Sequence, residues 1–88
     1  MMNMTDEIDV EEQYLEGLRY LKNTKFEKRT EEAENIAEVK VARKLLIDQY
    51  EYRIQELRRD HNPWAYLNPV ERSNMQSDIN KAVKKARG

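Results

Sequence analysis

The feature that most constrains this chain is a long stretch without glycine or proline that ends near Asp60. At about 1.5 Å per residue, roughly 30 residues of uninterrupted helix would form a rod some 45 Å long. We therefore predict that a second helix, about residues 30–60, dominates the fold. Its start has two alternatives, because Thr24 and Thr30 each precede glutamates in a pattern typical of a helix N-terminus.

Two further helices flank this rod. Val10, Tyr14, Leu18 and Leu21 recur at helical spacing and predict a first helix over about residues 6–22, after a flexible segment 1–5. Gly17 weakens its middle by up to about 1 kcal/mol relative to alanine, so this helix needs docking to be stable.

A turn over residues 61–68 is predicted to end the rod, because Pro63 cannot continue a helix. Trp64, Tyr66 and Leu67 give this turn enough apolar surface to be buried. Asn68, Pro69 and Glu71 then form a strong helix start, which places a third helix over about residues 69–87. Its narrow apolar face consists of Met75, Ile79, Ala82, Val83 and Ala86.

These elements predict an all-α fold in a single domain, residues 1–88. The composition, with 38% charged residues, two glycines and two prolines, favours helix over strand. We expect a short N-terminal helix, a long central helix and a C-terminal helix that form an antiparallel hairpin.

The central rod also predicts a homo-oligomer. One apolar seam repeats at three and four residues and consists of Ile47, Tyr50, Ile54 and Leu57. Further apolar side chains between Val39 and Leu46 spread over several faces. Because only two helices remain to cover the rod, a second copy of it is the simplest additional cover.

Charge divides the chain into two halves. Residues 1–38 carry 11 acidic and 5 basic side chains, whereas residues 39–88 carry 6 acidic and 11 basic ones. The halves therefore attract each other, within one chain or between chains, unless the basic groups serve an anionic ligand. Solvated helix faces are the plainest interpretation.

The chain lacks the usual signs of export and of catalysis. It has no cysteine, its longest apolar run is Leu45-Leu46-Ile47, and its start is not that of a signal peptide, so we expect a cytoplasmic protein. A single histidine, His61, and no glycine-rich phosphate loop predict no enzyme, no cofactor and no metal site.

The best candidate for binding is the start of the third helix, where Arg72, Ser73, Asn74 and Gln76 follow one another closely. Free N–H groups and the helix dipole favour anions at such a position. A polar surface in which Arg72 pairs with a glutamate is the structural alternative.

Glu38-Val39-Lys40 on a long helix, a turn with Trp64 and the run Arg72-Ser73-Asn74-Met75-Gln76-Ser77 together resemble the phage anti-CBASS sponge family. These are small helical-hairpin proteins that sequester cyclic oligonucleotide signals of bacterial defence. The resemblance covers about the last sixty residues. It implies a homo-oligomer, a hexamer in that family, with ligands held between protomers. Lys40 would match the lysine near the phosphates, Phe26 the base-stacking aromatic, and Arg72, Ser73 and Asn74 a polar stretch of the terminal helix.

Two functional hypotheses follow. The first is a non-enzymatic protein that sequesters cyclic di- or trinucleotides between protomers through Phe26, Lys40, Arg72, Ser73, Asn74 and Gln76. The second is a helical interaction module, such as a phage inhibitor or adaptor of a host protein. Nucleic-acid binding is disfavoured, because Lys84, Lys85 and Arg87 form a small patch on a chain of net charge −1.

Overall fold

The computed structural model describes residues 3–50 and 62–88, with the side chains of residues 10–49 and 62–88. Three α-helices lie in this part of the chain: α1 (Asn3–Asn23), α2 (Glu31–Tyr50) and α3 (Pro69–Arg87). Short 3₁₀ helices precede α2 and α3, at Phe26–Lys28 and Pro63–Tyr66. The described residues contain no strand, which confirms the all-α class, and none of their helices is long and apolar enough to cross a membrane.

The N-terminal helix is longer than the sequence predicted. α1 begins at Asn3 and runs for 21 residues, so Asn3 to Thr5 are helical rather than a flexible lead, and the expectation of a short first helix was wrong. Neither glycine nor proline precedes Asp6, and the acidic residues of the first turns suit the positive end of the helix dipole. The helix can therefore extend toward the terminus.

Of the two possible starts of α2, the structure has the one at Thr30. The hydroxyl oxygen of Thr30 accepts a hydrogen bond from the Ala33 N–H at 3.1 Å, as an N-cap does. The N–H of Thr24 instead donates to the Tyr20 carbonyl at 3.0 Å and so closes the last turn of α1. The predicted continuation of α2 to residue 60 lies outside the described residues.

The start of α3 is as predicted. The Asn68 side chain accepts from the Glu71 N–H at 2.8 Å, and the Glu71 carboxylate accepts from the Asn68 N–H at 3.1 Å. Pro69 occupies the first helical position. This reciprocal capping box fixes where α3 begins and therefore which of its faces meets α2.

α1 and α2 pack antiparallel and very close to each other at Gly17. A Cβ atom on Gly17 would lie 2.6 Å from the Ala37 carbonyl oxygen and 3.1 Å from a methyl carbon of Val41. Two ion pairs also join these helices, Glu16 with Lys40 and Glu11 with Lys44, each at 2.8 Å. The charge asymmetry of the sequence thus joins two helices of one chain.

The core lies where α1 and α3 cover α2. It consists of Leu21, Ala37, Val41, Ala42, Leu45, Leu46, Met75, Ile79 and Val83. Ile47, predicted to lie at an oligomer interface, packs against this core within its own chain. The middle of α2 from Val41 to Leu46 is thus largely buried within one chain. Tyr50's side chain, Ile54 and Leu57, which complete the predicted seam, lie outside the described residues.

The turn before α3 is packed against the core, as its apolar content predicted. Pro63 is buried, while Trp64, Tyr66 and Leu67 are partly buried and contact the core cluster. The Asn62 side chain accepts from the Trp64 N–H at 3.0 Å and so caps the 3₁₀ helix. The turn thereby determines the angle at which α3 returns along α2.

The contact at Gly17 gives a prediction about stability. Gly17→Ala places a methyl group against the Ala37 backbone oxygen, and the overpacking should outweigh the better helix propensity of alanine, which is worth about 1 kcal/mol. We expect a net loss of about 1–2 kcal/mol in the free energy of unfolding. Chemical denaturation followed by circular dichroism measures it. Arg19→Ala, at an exposed position of the same helix, is the control, and a Gly17→Ala protein as stable as that control would contradict the close packing.

Candidate ligand-binding groove

A groove of about 520 Å³ runs between α2 and α3, and the connection from α1 to α2 contributes Phe26 and Arg29 to its lining. Its floor is apolar and is formed by Leu21, Ile79 and Val83. Its walls are polar except at one aromatic residue, Phe26. We call this site the α2–α3 groove; its polar lining consists of Arg29, Glu34, Glu38, Asn80, Lys84 and Arg87.

Arg29 lines the groove and is held by several hydrogen bonds. Its guanidinium donates to the Leu21 carbonyl, to the Thr24 carbonyl at 3.0 Å and to the Glu34 carboxylate at 2.9 Å. The two carbonyls lie in the last turn of α1 and just after its end, where backbone acceptors lack helical partners and the dipole is negative. One side chain therefore joins the end of α1, the connection and the first turns of α2.

Phe26 stands out because it is hardly packed at all. Its side chain is 79% exposed, although a short 3₁₀ helix holds its backbone and the fixed Arg29 follows three residues later. Leaving a phenylalanine in water forgoes about 1.5–3 kcal/mol that burial would supply. The ring is thus available to a ligand on the rim of the groove.

Two further cations reach the groove from the last turns of α3. Arg87 donates to the Leu21 carbonyl at 3.4 Å, the same oxygen that Arg29 contacts. Lys84 lies one turn before Arg87 on the same side of α3 and forms no ion pair within the described part of the chain. Three positive groups therefore line the groove together with Phe26, and among the described residues Arg29 is the one of the three with a carboxylate partner.

The other end of the groove carries a carboxylate and two amides. Gln76 Nε2 donates to Glu38 Oε2 at 3.2 Å and to Asn80 Oδ1 at 3.3 Å. Burial raises the pKa of the Glu38 carboxyl above its ordinary value, with a smaller contribution from the charge of Glu34, while the hydrogen bond from Gln76 opposes the rise. Glu38 is thus a partly desolvated acceptor that faces the groove.

Lys40, the lysine that the resemblance would place near the phosphates, lies elsewhere. It pairs with Glu16 of α1 and lines a separate cleft of about 250 Å³ between α1 and α2. Positions 38 and 40 are about 200° apart on a helix, so Glu38 turns to α3 and Lys40 to α1. Within one chain, Lys40 does not join the α2–α3 groove.

The predicted residues of α3 divide in a similar way. Gln76 contacts Glu38, and the Arg72 guanidinium lies over the Trp64 ring, 4.9 Å from its centroid. Ser73 and Asn74 are exposed and lie about 100° and 200° around the helix from Arg72. Of the six predicted ligand residues, Phe26 lines the α2–α3 groove, Gln76 contacts its wall through Glu38, and Arg72 lies against Trp64.

Sequence reasoning missed Arg29, Asn80 and the role of Lys84 and Arg87. A usable signal was present, since every fourth residue of α3 from Arg72 to Lys84 is polar or basic, namely Arg72, Gln76, Asn80 and Lys84. Such a row marks one continuous polar edge of a helix. Arg29 gave no comparable signal, because its partners are backbone carbonyls that only the fold brings close.

No protein-family model, no curated protein and no solved structure matches this chain. The groups that line the groove are thus the basis for inferring a function.

The raised pKa of Glu38 predicts a pH dependence of stability. A carboxyl whose pKa is higher in the folded state stabilises the fold most below its unfolded pKa, and that contribution is lost as the pH rises through the folded value. Glu38→Gln should therefore remove a decline in unfolding free energy that the wild-type protein shows from acidic toward neutral pH. Urea denaturation at a series of pH values measures this. Glu32→Gln, at an exposed position of the same helix, is the control, and identical pH profiles for Glu38→Gln and wild type would contradict the assignment.

Proposed function

We propose that the protein is a non-enzymatic binding protein that sequesters a small anionic ligand of the nucleotide class in the α2–α3 groove. The observation that carries this proposal is the exposed ring of Phe26 on the rim of a groove that Lys84 and Arg87 make positive. A nucleotide combines a flat base with a charged phosphate, and these are the two chemistries that stand side by side there.

The energies favour such a ligand over a purely apolar or purely ionic one. Stacking of a base on an aromatic side chain is worth about 1–3 kcal/mol, and it would recover apolar burial that Phe26 forgoes in the free protein. Charge-assisted hydrogen bonds from Lys84 and Arg87 to phosphate add about 1.5–3 kcal/mol each. The apolar floor excludes water beneath the ligand.

Cyclic di- and trinucleotides are the most specific form of this proposal. Phe26 is the residue that the resemblance to the anti-CBASS sponge family matches to the base-stacking aromatic, and it is also the exposed ring of the groove. We place the protein in the cytoplasm, where such second messengers act. Assembly into a homo-oligomer, as in that family, belongs to the same proposal.

Binding without turnover fits the groups available. The described residues that line the groove include no serine, threonine, cysteine or histidine, so it holds no candidate nucleophile of those types. Of the two carboxylates in the groove, Glu34 is already paired with Arg29.

A helical interaction module is the second candidate, and the cleft between α1 and α2 favours it. Ile36 is 49% exposed there, beside Gly17, Tyr20, Ala33 and Ala37, with the Glu16–Lys40 ion pair at the edge. An apolar strip of small residues with a charged border suits a helix of a host protein.

Calorimetry with a panel of cyclic di- and trinucleotides tests the proposal. Phe26→Ala and Lys84→Ala should each weaken binding by about 1.5–3 kcal/mol without loss of helicity, because each removes one ligand contact and no core contact. Lys40→Ala is the matched control, since it removes a lysine of α2 that points to α1.

Failure of every member of the panel to bind below about 100 μM would contradict the proposal and favour the protein-partner candidate. A different outcome is that Lys40→Ala abolishes binding and Lys84→Ala leaves it unchanged. The site would then be the one between protomers that the resemblance implies.

A further inference from the structure

The end of the α2–α3 groove away from Lys84 and Arg87 presents an acceptor. Glu38 lines the groove, and its one described hydrogen bond is the 3.2 Å contact from Gln76 Nε2. An ionised carboxylate accepts about four hydrogen bonds in all, so most of its capacity remains for a ligand. Gln76 also donates to Asn80, which holds the amide in place behind the carboxylate.

Among the common bases, guanine is the one whose Watson–Crick edge matches a carboxylate acceptor. Guanine offers two adjacent donors on its Watson–Crick edge, N1–H and the exocyclic N2–H₂, in a fork that fits the two oxygens of a carboxylate as a guanidinium does. Adenine and cytosine place a ring acceptor beside their amino group, and uracil flanks its single N–H with carbonyl oxygens. Against those three edges a carboxylate oxygen would face another acceptor.

The spacing within the groove suits a nucleotide that lies along it. Gln76, which contacts Glu38, and Lys84 are eight residues apart on α3, which corresponds to about 12 Å along the helix axis. In a cyclic dinucleotide, a phosphate near Lys84 and Arg87 would therefore leave one base close to Glu38, with the apolar floor at Ile79 beneath it, while the other base stacks on Phe26. The charges of the two ends also match such a ligand, with Lys84 and Arg87 at the phosphate end and Glu38 at the base end.

We propose that the ligand of the α2–α3 groove carries a guanine base whose N1–H and N2–H₂ groups donate to the Glu38 carboxylate. This inference rests on the proposed function and adds the base for which the groove is selective. Gln76 is then a positioning residue. It donates to Glu38 Oε2, while the guanine donates to both oxygens of the carboxylate.

The test compares cyclic di-guanylate with cyclic di-adenylate by calorimetry, on the wild-type protein and on Glu38→Gln. A well-placed bidentate contact discriminates between bases by about tenfold or more, so the wild-type protein should prefer cyclic di-guanylate by that factor. Glu38→Gln replaces one acceptor with an N–H₂ group that meets a guanine donor. It should weaken cyclic di-guanylate by about tenfold and change cyclic di-adenylate by less than about threefold.

Glu34→Gln is the matched control, since it removes a carboxylate from the same wall of the groove that is already held by Arg29. It should shift both affinities in the same direction and leave their ratio unchanged. Circular dichroism verifies that each variant is folded.

The two proposals fail in different ways. Equal affinity for both ligands, or a ratio that Glu38→Gln leaves unchanged, would overturn guanine selectivity while nucleotide binding stands. Binding of neither these ligands nor the wider panel would overturn the proposed function, and the guanine inference with it.

Discussion

The close contact of α1 with α2 at Gly17 is the constraint on which the rest of the structure depends. With a Cβ position only 2.6 Å from the Ala37 carbonyl oxygen, the helices are nearer than any side chain at position 17 would allow. This contact lies next to the pair of Glu16 with Lys40, and one turn further along α1 the Leu21 carbonyl accepts from both Arg29 and Arg87. These contacts hold the connection that carries Phe26 against the groove.

Much of the fold could be predicted from local patterns, because each pattern has its physical cause nearby in the chain. The capping box at Asn68 and Glu71 and the apolar face of α3 are of this kind. The start of α2 is a case in which local signals conflict. Thr24 has the capping pattern as well, but its N–H donates to the Tyr20 carbonyl and closes the last turn of α1. The residues that follow Thr24 do not reveal this bond.

The site was less predictable, because it depends on which helix each face of α2 meets. Glu38 and Lys40 are both polar residues on one helix, yet one contacts α3 and the other α1. The sequence alone does not show which helix packs against which face of α2. Lys40 and Gln76 were therefore predicted to share one site, which a single chain does not form. Phe26 entered the predicted site only through the family resemblance, whereas Arg29 was missed because its partners are mostly backbone oxygens.

The most direct test of the central claim, that the α2–α3 groove is the binding site, is an amide NMR titration of the protein with a cyclic dinucleotide. The largest shifts should fall on backbone amides of residues 24–29 and 79–87, which surround Phe26 and the cationic end of the groove. Shifts concentrated around Gly17, Ile36 and Lys40, with residues 24–29 and 79–87 unchanged, would contradict it.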